Sequence, residues 1–126
     1  MSTPELRPFE KQAYLNLKTF RKTGIGVPTP VWFAEHEGVL YVRTIDGSGK
    51  VNRIRNHSNV QVAPCDSRGK LLGEWLEAQA HLVTNQGTID LVDRLLNQKY
   101  GFQRTLFNLL GRVRKEKGAT IAIEPC

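Results

Sequence analysis

The clearest secondary-structure signal in the chain is at residues 71–83, which read LLGEWLEAQAHLV. In this segment a mixed set of side chains alternates with a uniformly apolar set. Alternation with a period of two places the two sets on opposite faces of a strand. The segment therefore predicts a long β-strand with one face against a hydrophobic core. The mixed set is Trp75, Glu77, Gln79 and His81, and the apolar set is Leu76, Ala78, Ala80 and Leu82.

Shorter extended segments surround this strand, and Gly or Pro separates them, which is typical of a β-meander. About six antiparallel strands with no strict strand–helix alternation predict a mainly β barrel with flanking helices, not a Rossmann-type sheet. The other predicted strands are 19–26, 29–35, 39–44, 60–63 and 119–124, with a hairpin turn over 35–38. An arm over 1–8 and helices over 10–17, 48–57, 88–100 and onward from Phe102 complete the prediction.

Length and composition predict one globular domain over residues 1–126. The chain has 40% apolar and 24% charged residues, so a core can form without disulfides. No signal peptide and no apolar run of about 20 residues is present, which excludes a membrane span. The two cysteines, Cys65 and Cys126, form no metal-binding pattern. We therefore expect a cytoplasmic protein with reduced thiols and no metal.

The net charge is +6, from 18 Lys and Arg against 12 Asp and Glu. An excess of positive charge favours an anionic partner, which could be a phosphorylated ligand, a nucleic acid or an acidic membrane surface. A solvated basic surface explains the same composition. The positions of the charges must decide between these interpretations.

Residues 44–55, which read TIDGSGKVNRIR, concentrate the features of an anion site. A predicted strand ends at Thr44, two glycines allow a tight turn, and a helix follows with free N–H groups and the Ser48 hydroxyl. On that helix Lys50 and Arg53 share one sector with His57. A nucleotide P-loop is excluded, since it needs Gly at position 44 and Ser or Thr at position 51. A phosphate cradle and a solvated basic helix remain as alternatives.

Five segments in order resemble the flavin- and deazaflavin-binding split β-barrel family related to pyridoxamine 5′-phosphate oxidase. The branch that they resemble most is the group that uses the deazaflavin coenzyme F420. The similarity runs from about residue 15 to residue 123. The segments are YLNLKTFRK at 14–22, TPVWF at 29–33, LYVRT at 40–44, GKVNRIR at 49–55 and VAPCD at 62–66.

The resemblance implies a homodimer whose cofactor lies in a groove between the subunits. By this resemblance the cofactor is coenzyme F420, with FMN as the alternative, because the sequence barely separates the two. Relatives often carry an Arg at the position of Ser48, so in this chain that charge contact is either missing or supplied by another residue. The phosphate and tail contacts carried over are Thr44, Ser48, Gly49, Lys50 and Arg53, and the ring contacts are Pro30, Val31 and Trp32.

Other candidate residues have ordinary structural explanations. Arg21 and Lys22 could extend the anion site, but strand cations are more often solvated. Trp75 could wall the ring pocket, or it could pack in the core or at the dimer interface, as Trp32 could. A lone strand histidine such as His81 usually packs or forms hydrogen bonds.

No catalytic acid–base set is predicted, because Glu74 and Glu77 fall on opposite strand faces. That absence agrees with hydride transfer, in which the cofactor carries the chemistry, and equally with a carrier that only binds the cofactor. The leading hypothesis is an oxidoreductase that transfers a hydride between coenzyme F420 and a small unsaturated or conjugated substrate. A nucleic-acid-binding barrel is a further alternative, based on the basic stretch 112–117 near Phe102 and Phe107.

Overall fold

The computed structural model describes residues 4–45, 48–101 and 118–126, and within them seven strands form one antiparallel sheet. The strand order is β2-β1-β5-β6-β7-β4-β3. This architecture confirms the predicted mainly β fold. The strands are β1 Tyr14–Phe20, β2 Gly26–Val31, β3 Ala34–His36, β4 Val39–Ile45, β5 Asn59–Cys65, β6 Leu76–Leu82 and β7 Gly118–Pro125. The helices are a 3₁₀-helix at Pro4–Phe9, α1 at Gly49–Asn56 and α2 at Gln86–Tyr100.

The two outermost strands of the sheet, β2 and β3, are joined by only Trp32 and Phe33. Three peptide units span at most about 11 Å, so the two edges of the sheet meet at this connection. The sheet therefore curls round into a barrel. Its core is formed by one face of each long strand and by two side chains of α1. This core includes Leu15, Leu17, Leu40, Val42, Val60, Val62, Ala78, Ala80, Ile121 and Ile123 from the strands, with Val51 and Ile54 from α1.

The amino-terminal segment departs from both predictions made for it. Residues Pro4–Phe9 form a 3₁₀-helix that buries Leu6 and Phe9 in the core, so the segment is not an arm. The predicted helix over 10–17 is wrong, because β1 begins at Tyr14 and pairs with both β2 and β5. Residues 15–18 alternate in polarity, and pairing on both sides fixes the segment as a strand.

Several predicted strands have different boundaries in the structure. The turn between β1 and β2 occupies residues 21–25, inside the predicted strand 19–26, with Gly24 at φ +89°. The predicted strand 29–35 is divided at Trp32 and Phe33. The hairpin turn is confirmed: Glu37 and Gly38 have φ of +51° and +78°, which suits a two-residue turn.

Strand β6 confirms the faces predicted for residues 71–83 but begins only at Leu76. Ala78 and Ala80 are buried, whereas Glu77, Gln79 and His81 are exposed. The residues before Leu76 belong to a loop, in which the Asp66 carboxylate accepts hydrogen bonds from the N–H groups of Arg68 and Lys70, both at 2.9 Å.

The other two predicted helices in the described residues, 48–57 and 88–100, are confirmed as α1 and α2. Ser48 caps the start of α1, and Gly101 ends α2. Helix α2 packs Val92 and Leu96 against Ala34 and so covers the outer side of β3 and β4. The helix predicted onward from Phe102, the basic stretch 112–117 and Gly47 lie outside the described residues. None of the described helices has the length and apolar character that crossing a membrane requires.

The two cysteines differ in accessibility, which leads to a prediction about their reactivity. Cys65 is buried and Cys126 is exposed. Burial, and next the Asp66 carboxylate, raises the pKa of Cys65 to about 11, and the thiolate is the reactive form. At pH 8 we expect a disulfide reagent such as DTNB to label one thiol in the folded protein and two in denaturant. The variant Cys126→Ser should show no labelling until it unfolds; fast labelling of that variant would contradict the burial of Cys65.

Candidate functional site

An opening in the barrel wall lies between β2 and the end of β4. Strand β2 has only one strand neighbour, β1, and β3 pairs with β4 only as far as Tyr41. Residues 42–45 of β4 therefore pair with β7 on one side and with no described strand on the other. The free edges of β2 and of residues 42–45 therefore diverge from the connection at Trp32 and Phe33. This split in the barrel wall is called the opening below.

Helix α1 forms the third side of the opening. It follows β4 after a short turn, and Arg53 Nε donates a hydrogen bond to Thr19 Oγ1 of β1 at 2.5 Å. Thr19 is paired with Val27 near the start of β2. The helix thus runs from the end of β4 across this end of the barrel, where it packs against β1 and β6.

The first turn of α1 combines a cap, a glycine and a guanidinium group. Ser48 Oγ accepts the Val51 N–H at 3.4 Å. At Gly49 a Cβ atom would lie 2.7 Å from Arg53 Nη1, so the guanidinium group lies directly against this turn. Any larger residue at position 49 would have to displace that guanidinium. The glycine is therefore what lets the positive charge approach the free N–H groups of the helix start.

Two positive charges lie at this turn: Lys50 belongs to it, and Arg53, in the next turn, places its guanidinium group against it. Lys50 is half-buried, and burial first and the Arg53 charge second lower its pKa. No carboxylate of the described residues comes within ion-pair distance of either side chain. Positive charge held beside free N–H groups, without a carboxylate from this part of the chain, favours an anion.

The narrow corner of the opening is held by the last two residues of α2. The Trp32 ring stacks on Tyr100, with ring centroids 4.4 Å apart and planes 7° apart. The Phe33 N–H donates to Tyr100 Oη at 2.9 Å, and Lys99 Nζ donates to the Phe33 carbonyl at 2.9 Å. Tyr100 in turn reaches the Ala13 carbonyl at 2.8 Å. The backbone N–H and the backbone carbonyl of Phe33 are therefore both hydrogen-bonded to side chains of α2.

Burial changes the pKa of both α2 residues at this corner. It raises the pKa of Tyr100 to about 12, so the hydroxyl keeps its proton and its role as donor at neutral pH. It lowers the pKa of Lys99 to about 8. Much of the Lys99 side chain is exposed, but its ammonium group lies 3.4 Å from the centroid of the Phe33 ring. This partial burial of the charged group explains why the Lys99 pKa is lowered.

All eight residues predicted to bind the cofactor lie around this opening. Thr44 is half-buried on β4 and pairs with Ala119. Pro30 and Val31 are on the edge strand β2, and Trp32 follows at the corner. The remaining four are at the start of α1: Ser48, Gly49, Lys50 and Arg53. The structure thus brings the predicted residues together, and their contact with a cofactor stays a prediction.

The other candidates lie elsewhere. Arg21 and Lys22 are exposed in the turn after β1, and His81 is exposed on the outer face of β6. Trp75 packs under the ammonium group of Lys18, which is 4.0 Å from its ring centroid, on the outer side of the sheet. No group of three potential metal ligands occurs among the residues that the structure describes.

Tyr100 and Lys99 are site residues that sequence reasoning missed. In the sequence, Lys99 is only a cation that suits the end of a helix, and Tyr100 carries no signal of its own. Their partner Phe33 is 66 and 67 residues away in the chain. A polar-tipped aromatic residue next to a helix-ending glycine is too common a pattern to predict such a contact.

Comparison with known proteins identifies structural relatives, while no family model and no curated protein sequence matches. An F420 reductase is 18% identical, with a TM-score of 0.59 over 96% of this chain and 92% of its own. A protein from Listeria innocua assigned as a pyridoxamine 5′-phosphate oxidase is 12% identical, with a TM-score of 0.68 over 96% and 90%. The haem storage protein of Vibrio cholerae is 13% identical, with a TM-score of 0.72 over 98% and 89%.

These relatives confirm the fold that the sequence resemblance predicted. The chain has the split β-barrel fold found in proteins like pyridoxamine 5′-phosphate oxidase. The identities are low, and the relatives include a reductase, an oxidase and a storage protein. The fold is therefore shared across different activities, and the function must be argued from the site.

Proposed function

We propose that the chain is a homodimeric oxidoreductase that transfers a hydride between coenzyme F420 and a small unsaturated or conjugated substrate. The observation that carries this proposal is the pair of cations, Lys50 and Arg53, whose charged groups lie at the start of a helix beside a split in the barrel wall. An F420 reductase of the same fold supports the choice of cofactor.

The residues present suit both ends of such a cofactor. The phosphate suits the start of α1, where Gly49 leaves room for the Arg53 guanidinium and the first N–H groups are free of helix partners. The planar ring suits the corner at Trp32. Val27 lies level with α1, and the strand rises about 13 Å from Val27 to Val31. This distance leaves room for the phosphate tail at α1 and the ring at the corner.

Each side of the opening has a distinct role in this proposal. Lys50 and Arg53 bind the phosphate, with Ser48, Gly49 and Thr44 as neutral hydrogen-bonding groups around it. Pro30, Val31 and Trp32 border the ring. Tyr100 holds Trp32 by stacking and fixes the Phe33 peptide by accepting its N–H. When bound, the deazaflavin supplies the hydride chemistry, and the protein orients it and excludes water.

The Lys50 charge provides the direct test of the phosphate site. In Lys50→Ala we expect the dissociation constant of coenzyme F420 to rise about 10- to 150-fold, from a loss of roughly 1.5–3 kcal/mol for a charged hydrogen bond. Isothermal titration or cofactor fluorescence measures the effect. Lys70→Ala is a matched control, because it removes the same charge from an exposed loop residue. Equal dissociation constants for Lys50→Ala and the wild type would reject the assignment.

FMN is the second candidate cofactor, since its phosphate would use the same turn and its ring the same corner. The relative assigned as a pyridoxamine 5′-phosphate oxidase favours it. Titration of both cofactors into the same protein separates the two, with the tighter ligand identifying the cofactor. A protein that binds either cofactor but shows no turnover with a panel of conjugated substrates would be a carrier and not an enzyme.

A further inference from the structure

The hydrogen-bonding direction of β2 follows from one backbone bond and the strand register. Arg21 N–H donates to the Ile25 carbonyl at 2.9 Å, one step beyond the pair Phe20 and Gly26. Hydrogen-bonded pairs alternate along an antiparallel ladder, so Val27, Thr29 and Val31 are the residues that bond to β1. The carbonyls of Pro28 and Pro30 consequently point away from β1, into the opening.

The two prolines make this edge chemically one-sided. Proline has no N–H group, so between Val27 and Val31 the free edge presents two carbonyl acceptors and no donor. No hydrogen bond to either carbonyl is formed by the residues that the structure describes. The two carbonyls are about 6.6 Å apart along the strand, since they are two residues apart.

The opposite edge of the opening offers a different set of groups. Val83 N–H donates to the Thr120 carbonyl at 2.8 Å, which fixes the alternation in β6 and β7. By the same alternation Thr44 and Val42 bond to β7, and the Arg43 N–H and carbonyl face the opening. Only the β2 side is therefore restricted to acceptors.

We infer that the Pro28 and Pro30 carbonyls select a ring that carries an N–H donor on the edge facing β2. This inference rests on the proposed function, and it names the group of the ring that β2 recognises. The imide N–H of a pyrimidinedione ring, common to deazaflavins and flavins, is such a donor. The single imide N–H bonds one of the two carbonyls, whereas a ring edge carrying only acceptors would leave both without a partner.

The same prolines exclude the main competitor for this edge. A second copy of the chain that added a strand to β2 would need N–H donors at positions 28 and 30 to complete the ladder. The edge therefore stays open for a ligand. A homodimer of this chain must therefore form through contacts other than strand addition to β2.

A pair of synthetic ligands tests the donor. The probe is 7,8-didemethyl-8-hydroxy-5-deazariboflavin 5′-phosphate, which carries the ring of coenzyme F420 and a phosphate at the same position of its tail, and its partner is the same molecule methylated at the imide nitrogen. We expect the methylated ligand to bind the wild type roughly 2- to 13-fold more weakly, the range for one neutral hydrogen bond. Equal dissociation constants, with both still weakened by Lys50→Ala, would overturn the inference and keep the phosphate site.

A second measurement identifies the acceptors directly. The chain has six prolines, so labelling proline with ¹³C at the carbonyl gives six signals, and the variants Pro28→Ala and Pro30→Ala assign two of them. Addition of the unmethylated probe should shift the carbonyl signal of at least one of these two. Pro64 is an internal control, because its carbonyl already accepts the Leu72 N–H at 2.8 Å.

The outcomes separate the two proposals. Saturable binding of the probe with no shift at Pro28 or Pro30 would overturn this inference alone. Binding of neither ligand, at concentrations where a phosphorylated ring should saturate the site, would overturn the proposed function and this inference with it. A shift at Pro28 or Pro30 that the methylated ligand fails to produce would support both.

Discussion

Replacing Phe9 by alanine is expected to lower the free energy of unfolding by about 3–5 kcal/mol, the range for removing a buried phenyl ring. Phe9 is 2% exposed although it lies only nine residues from the start of the chain. Its ring meets the Phe33 ring edge-on, with centroids 6.1 Å apart and planes 81° apart. Truncation would leave a cavity next to the corner of the opening, where the backbone is fixed and cannot collapse freely.

Denaturant unfolding followed by tryptophan fluorescence measures this loss. Arg7→Ala is the matched control, because Arg7 belongs to the same 3₁₀-helix and is exposed; it should change the stability by no more than about 0.5 kcal/mol. If Phe9→Ala and Arg7→Ala unfold at the same denaturant concentration, the amino-terminal segment does not contribute to the core.

Local patterns predicted the elements whose side chains repeat regularly. The faces of β6 follow from strict alternation, and α2 follows from an apolar stripe with a capping glycine at its end. The β3–β4 hairpin follows from Glu37 and Gly38, because a tight turn needs residues that accept positive φ. In each case the signal lies within a few residues of the structure that it predicts.

The amino-terminal region and β1 could not be predicted in this way. Half of residues 10–17 are polar, but their order does not separate a short helix from a strand, and only pairing with β2 and β5 decides between them. Leu6 and Phe9 look like isolated apolar residues in a proline-containing segment. Their burial depends on the barrel, which supplies the surface that they cover.

The candidate site likewise has a part that local sequence patterns predict and a part that they do not. Its anion-binding side is contiguous in sequence, from Thr44 to Arg53, so the glycines and cations were visible together. Its corner combines β2 with the end of α2, and residue patterns in either element carry no information about the other. The acceptor-only edge was also hidden, because the direction of the Pro28 and Pro30 carbonyls depends on the register with β1.

Replacing Tyr100 is expected to affect both the stability of the fold and the binding of the proposed cofactor. Tyr100→Ala should lower the free energy of unfolding by about 3 kcal/mol, since it removes a half-buried ring and leaves the Phe33 N–H without its acceptor. Tyr100→Phe keeps the stacking on Trp32 and loses only the hydroxyl, so about 1–3 kcal/mol is expected. Gln98→Ala, at an exposed position of the same helix, is the control.

The two variants should differ in cofactor binding as well as in stability, and this comparison separates a positioning role from a merely structural one. If Tyr100 holds the Trp32 ring as a wall of the ring site, Tyr100→Ala should bind coenzyme F420 more weakly than the wild type, even at temperatures well below that at which the variant unfolds. Tyr100→Phe keeps the aromatic ring and should therefore bind the cofactor almost as tightly as the wild type. Binding of inorganic phosphate at Lys50 should be unchanged in both, because α1 makes no contact with Tyr100 among the hydrogen bonds and ring contacts of the described residues. Equal cofactor affinity in Tyr100→Ala and the wild type would leave Tyr100 as a purely structural residue and would move the ring away from this corner.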